Sequence, residues 1–275
     1  KLTTLGSYSF QGCTSLTSMN LPESIRYINQ YAFKGCSSLA NIKIPEHVTT
    51  VSSYCFEDCS SLSSVILPEN LKNINDYAFR DCDALTSISL PADLDFIGDY
   101  AFANCDALLD FTIPDKVRTI ENGVLSRCTS LRSVNIQAPV TAISSYLFDG
   151  CSALSEVILP QTIQTVGDYA FRGCSSLANI TLPDAITEFG DYSFQDCIKL
   201  QQIQWPAKTS IIRGYAFNGC NSLKSVSLPE TMDVIGSYAF ENCANLELFT
   251  FPANFNSIGE GTLRYCKSLK DVEFR

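Results

Sequence analysis

The stretch CSSLSSVILPENLKNINDYAFRDC, residues 59–82, decides the fold. Its two cysteines stand 23 residues apart. The same interval runs through Cys13, Cys36, Cys59, Cys82, Cys105, Cys128, Cys151, Cys174, Cys197, Cys220, Cys243 and Cys266, with no insertion or deletion. Twelve such repeats account for the 275 residues. A period of this size marks a stacked-repeat architecture, in which no repeat buries its apolar face alone. Counting from each cysteine, offset 3 is Leu in every repeat, from Leu16 to Leu269. Offsets 6 and 8 are apolar, as in Val65 and Leu67, and offset 9 is Pro in ten repeats. Offsets 18–20 usually read Tyr-Ala-Phe, as in Tyr77, Ala78 and Phe79.

Each part of the repeat has a physical reading. Apolar residues alternating with polar ones at offsets 5–8 predict a half-buried strand. Proline then ends it, because it donates no ladder hydrogen bond. Ser, Asp or Asn at offset 17, as in Ser53, Asp76 and Asp168, is N-cap chemistry for a short helical turn through Tyr-Ala-Phe. Gly, Asp or Asn before most cysteines, as in Gly35, Asp58 and Asn104, suits a left-handed residue closing that turn. Gly123 and Gly261 replace the tyrosine in two repeats 138 residues apart, and GCSSLANI recurs at 35–42 and 173–180. A six-repeat block therefore reads as duplicated. The expected organisation is one domain, 1–275, of two blocks, about 1–137 and 138–275. The seam falls near Gln137-Ala138-Pro139, with a local change of curvature expected there.

The repeat resembles the BspA-like subfamily of leucine-rich repeats. Leu62-Ser63-Ser64-Val65-Ile66-Leu67 matches the strand segment L-x-x-I-x-L, with L-P after it and I-G-x-Y-A-F-x-x-C behind. It departs from the common leucine-rich repeat in lacking the buried Asn after the strand. The resemblance implies an α/β solenoid, an arc or horseshoe of about twelve 23-residue turns. Its parallel sheet would line the concave face, with short helical turns on the convex side. It also implies a cell-surface or secreted protein acting in adhesion or host interaction, whose partner is a host or neighbouring-cell surface protein. Twelve strands at ~4.8 Å would extend on the order of 55 Å along the stack.

The composition is that of a folded globular chain. Apolar residues make up 45% and charged residues 17%, with a formal charge of −10, so nothing favours a nucleic-acid partner. No apolar run approaches the ~18 residues of a membrane span. The chain has no initiator Met and no leader, so we expect a mature or excised product. One histidine, His47, stands with no nucleophile in register, and no phosphate loop, zinc spacing or serine elbow occurs. We expect no enzyme activity, no cofactor and no metal, and a monomeric domain.

Offsets 5 and 7 must face away from the core because 6 and 8 face it. The candidate binding surface is therefore Asn41, Lys43, Ser64, Ile66, Ser87, Ser89, Asp110, Thr112, Ser133, Asn135, Glu156, Ile158, Asn179, Thr181, Gln202 and Gln204. Small polar residues with an occasional Ile suit a broad protein interface. A carbohydrate-binding module is an alternative, but it would need aromatics at these positions, which have none. A purely structural spacer is the other alternative. Offset 14 (Tyr27, Phe96, Ile211, Val234) offers a second apolar patch. The acidic rim at offset 10 (Glu23, Glu46, Glu69, Asp115, Asp184, Glu230) reads as a solvated edge that would favour a basic partner.

The remaining columns read as structure. The cysteines occupy equivalent buried slots and are expected to be free thiols acting as small hydrophobes, with Cys55 standing in for Ala. The Tyr and Phe columns, and Trp205 at offset 8, are expected to pack rather than to stack on ligands. Asp58, Asp81, Asp76, Asp99, Asp168 and Asp191 read as caps and turns, with calcium binding the weaker reading. Asn179-Ile180-Thr181 is a match to an N-glycosylation sequon.

Overall fold

The computed structural model describes all residues except 254 and 256. The chain divides into two compact units, Lys1–Pro139 and Val140–Arg275. Each is a β-solenoid of stacked 23-residue coils, about twelve in the chain, whose strands all pair in parallel.

The expected strand forms at offsets 5–8 and pairs one period apart. In the first unit Ser18–Met19, Asn41–Lys43 and Ser64–Ile66 make one sheet, and Asp110–Ile113 pairs with Ser133–Ile136. In the second unit Ser225–Ser227, Leu248–Phe251 and Asp271–Phe274 make another. Asn41, Lys43, Asp110 and Thr112 are exposed, and Ile42, Ile44, Phe111 and Ile113 are buried, as alternation requires. Three repeats depart from this: 87–90, 179–182 and 202–205 join no ladder. No bulky residue accounts for the break at 87–90.

A second column of two-residue strands runs at offsets 14–15, which the sequence marked only as apolar. Thr50–Val51, Asn73–Ile74, Phe96–Ile97 and Thr119–Ile120 pair in the first unit. Ala142–Ile143 through Val234–Ile235 do the same in the second. The inward residue of each pair, such as Val51, Ile74 and Ile97, is buried.

The Tyr-Ala-Phe segment is not helical, which corrects the expected helical turns. In every repeat the offset-18 residue has a left-handed backbone, from Tyr8 (φ 64°) through Gly123 (φ 64°) to Gly261 (φ 60°). A left-handed residue cannot continue an α-helix. The backbone instead forms successive tight turns whose N–H groups alternate in direction. Ala32, Lys34 and Cys36 donate three residues back, to Asn29, Tyr31 and Phe33. Tyr31, Phe33 and Gly35 donate to Ser53, Cys55 and Glu57 of the next coil. Every second amide is thus spent between coils, where a helix would use all of them internally. The left-handed residue before each cysteine is present in all twelve repeats, including Arg127 and Tyr265. The offset-17 carboxylates cap the following coil and not their own turn. Asp76 Oδ1 accepts from Asp99 N–H, and Asp168 Oδ1 accepts from Asp191 N–H.

The core lies between these walls. Phe33, Phe56, Phe79 and Phe102 are fully buried and stack at 5.3 Å from ring to ring. Phe194, Phe217 and Phe240 repeat this in the second unit, at 5.2 and 5.3 Å.

Candidate recognition surface

The outward residues of the strand column are held by the repeat itself. One side of each strand is fixed in the core, so offsets 5 and 7 face solvent. Asn41, Lys43, Ser64, Ile66, Ser87, Ser89, Asp110, Thr112, Glu156, Ile158, Asn179, Thr181, Gln202 and Gln204 are exposed there. Ser133 and Asn135 are half-buried. Among the described residues Ile66 and Ile158 are the exposed large apolar ones at these offsets, 57% and 52% exposed, with Leu248 half-buried. Ser87, Ser89, Asn179, Thr181, Gln202 and Gln204 lie in the segments outside the ladder, not in strands as expected.

In the second unit a cleft of about 470 Å³ lies over the segments outside the ladder. It is lined by Glu156, Ile158, Asn179, Thr181, Gln202 and Gln204, with Ser155 and Gln161 at its border. A second depression of about 580 Å³ adjoins it through Gln202 and is bordered by Lys224, Asn245 and Glu247. Trp205 lies behind the cleft, half-buried. Its indole meets Phe189, Phe217 and Phe240 edge-on at 5.7, 5.5 and 6.4 Å. It fills a slot that Leu, Ile or Phe occupies in the other repeats.

The acidic rim is partly neutralised. Lys43 Nζ lies 3.0 Å from Glu23 and holds its carboxyl below the usual range. Arg275 lies 3.1 Å from Glu230. His47 is exposed. Of the second patch, Tyr27 and Val234 are exposed, whereas Phe96 and Ile211 are half-buried. Among the described residues no group of three or more His, Cys, Asp or Glu side chains is placed to hold one metal ion.

The aromatic columns pack on themselves. Tyr8, Tyr31, Tyr54 and Tyr77 stack at 4.7–4.8 Å with nearly parallel rings. Tyr146, Tyr169, Tyr192 and Tyr215 do likewise. Rings inside the columns, such as Tyr31, Tyr54, Tyr169 and Tyr192, are stacked on both faces and offer no platform to a base or sugar. Tyr100 lies over Gly123, where an added Cβ would stand 2.3 Å from the ring.

All thirteen thiols are free, and only Cys13 is exposed. Their role is more specific than filling space. Cys59, Cys82, Cys105 and Cys128 each donate to the carbonyl of the Phe 26 residues earlier, at 3.2–3.3 Å. Burial pushes Cys59 and Cys128 up to about 12 from an ordinary 9.0. A stripe at offset 21 escaped the sequence reading, although its alternating charge was visible. Buried Glu57 sits 2.5 Å from Lys34 and 3.7 Å from Arg80, and Arg172 donates twice to buried Asp149.

Known proteins agree with this architecture. A leucine-rich repeat protein from Bacteroides ovatus is 28% identical, with a TM-score of 0.73 over 99% of this chain and 82% of that one. A leucine-rich repeat protein from T. pallidum is 31% identical over 58% of this chain and 78% of its own, with a TM-score of 0.56. A leucine-rich cell surface protein from Faecalibacterium prausnitzii is 25% identical over 99% of this chain and 69% of its own, with a TM-score of 0.51. No curated protein sequence matches. No helix among the described residues is long and apolar enough to cross a membrane. Proteins of this repeat class are generally non-catalytic scaffolds. The BspA type leucine-rich repeat region, in six copies, matches residues 1–108, 95–208 and 187–275, and the chain belongs to that family.

Proposed function

We propose that the chain is a protein-recognition domain of a cell-surface or secreted protein, and that its strand face binds a partner on a host or neighbouring cell. One observation carries this reading. A regular row of outward side chains, including exposed Ile66 and Ile158, is for the most part left without work inside the fold, while the turn wall is consumed by packing. A face of small polar side chains with apolar ones set among them suits a protein interface. The cell-surface description of the F. prausnitzii relative supports the location. Carbohydrate binding is disfavoured because no aromatic stands at offsets 5 and 7.

The test is capture of host surface proteins by the whole chain, with Ile66→Asp and Ile158→Asp as controls. The reading expects a captured protein that both variants lose. Capture indifferent to both substitutions, or none at all, contradicts it.

A further inference from the structure

We infer that the cleft at 156–204 binds an extended polypeptide segment bearing a basic side chain. This rests on the proposed function and deepens it, naming the part of the face and the partner's chemistry.

Two successive segments, 179–182 and 202–205, run beside the strand Glu156–Ile158 without joining its ladder. No described residue hydrogen-bonds their backbone N–H groups. Elsewhere in this column, 87–90 excepted, such groups are used between coils, as where Ile44 N–H donates to the Ile66 carbonyl.

The side chains match the same ligand. Asn179, Gln202 and Gln204 carry carboxamides and Thr181 a hydroxyl. None of the four has a hydrogen-bond partner within the described residues. A carboxamide presents a donor and an acceptor side by side in one plane, which matches the N–H and C=O of one residue in an extended chain. Ile158 supplies an apolar contact on the same floor.

Charge selects the rest. Glu156 is the sole charged residue lining the cleft and has no ion pair among the described residues. The chain as a whole carries −10. An exposed carboxylate with no ion pair favours a Lys or Arg and opposes an acidic segment. No aromatic ring faces the cleft to stack on a sugar.

The test uses the complete chain and an array of 12-residue synthetic peptides of random sequence. Bound peptides should be enriched in Lys or Arg. Glu156→Gln should weaken the best of them by about tenfold, and Glu156→Lys should turn the preference to Asp or Glu. Gln202→Ala with Gln204→Ala should weaken binding without changing the charge preference. Hydrogen exchange at 179–182 and 202–205 should slow when peptide binds. These residues are exposed, so unchanged melting of the variants separates loss of binding from loss of fold. No bound peptide, no basic enrichment, or indifference to Glu156→Gln overturns the inference. Peptide protection at 64–66 instead of the cleft overturns it while leaving the face as the recognition surface. Protection at the 31–36 turns overturns both.

Discussion

Two walls of the same coils behave oppositely. On the turn wall, every column is committed. Tyr31 stacks on Tyr54, Phe33 on Phe56, and Cys59 donates to the Phe33 carbonyl. On the strand wall, the outward residues around 156–204 have no internal partner, and two repeats have left the ladder. The 23-residue period is strict where the fold consumes side chains and lax where it does not. The lax wall is the part free to recognise something else.

Substitutions should separate the walls, beginning with the ring ladder. Phe79 is fully buried and stacked between Phe56 and Phe102. Phe79→Ala should cost about 3–5 kcal/mol in denaturant unfolding. A cost below 1 kcal/mol would deny the turn wall its structural role.

The next effect is at the tyrosine breaks. Gly123→Ala places a Cβ against the Tyr100 ring at a left-handed position. It should lose about 1–3 kcal/mol. Tyr100→Ala in the same chain should recover part of that loss, because it removes the ring but not the backbone strain. Simple additivity would show that ring contact is not the cause.

Alkali should act on the thiol column. Buried Cys59 and Cys128 stay protonated to about 12, whereas unfolded thiols ionise near 9.0. Between those values the unfolded chain binds fewer protons, so stability falls as pH rises. Each such thiol should contribute about 1.4 kcal/mol per pH unit to that fall. Cys128→Ala should flatten the slope of unfolding free energy above pH 9 by one thiol, and an unchanged slope would refute the assignment.

Smaller effects refine the contrast. Ser193 is buried with an unpartnered hydroxyl in a column where Ala170 and Ala216 flank it. Ser193→Ala should gain about 1 kcal/mol. Ile66→Asp on the strand wall should shift stability by no more than about 0.5 kcal/mol while removing partner capture. A large destabilisation there would mean that the open face is structural after all.

Much of this was legible in the residues. The Cys–Leu–Pro period announced the solenoid and its strands, and alternation at offsets 5–8 placed the exposed row. The helical turn was misread because Tyr is a rare occupant of the left-handed region. Only the stacked ring column, visible in three dimensions, accounts for Tyr31 and Tyr54 there. The second sheet was hidden because two-residue strands such as Thr50–Val51 carry no periodicity. The cleft was hidden because a strand's failure to pair depends on neighbours 23 residues away. Trp205 in a Leu slot was the one local hint, and it reads equally well as core filling.

The central claim is that the strand wall recognises and the turn wall supports. Hydrogen exchange of the whole chain, free and with a captured partner, tests it most directly. Exchange should be slow at Phe33, Phe56 and Phe79 in both states, and fast at 179–182 and 202–205 until binding slows it. Slowing confined to the turn wall, with the strand wall unchanged, would contradict it.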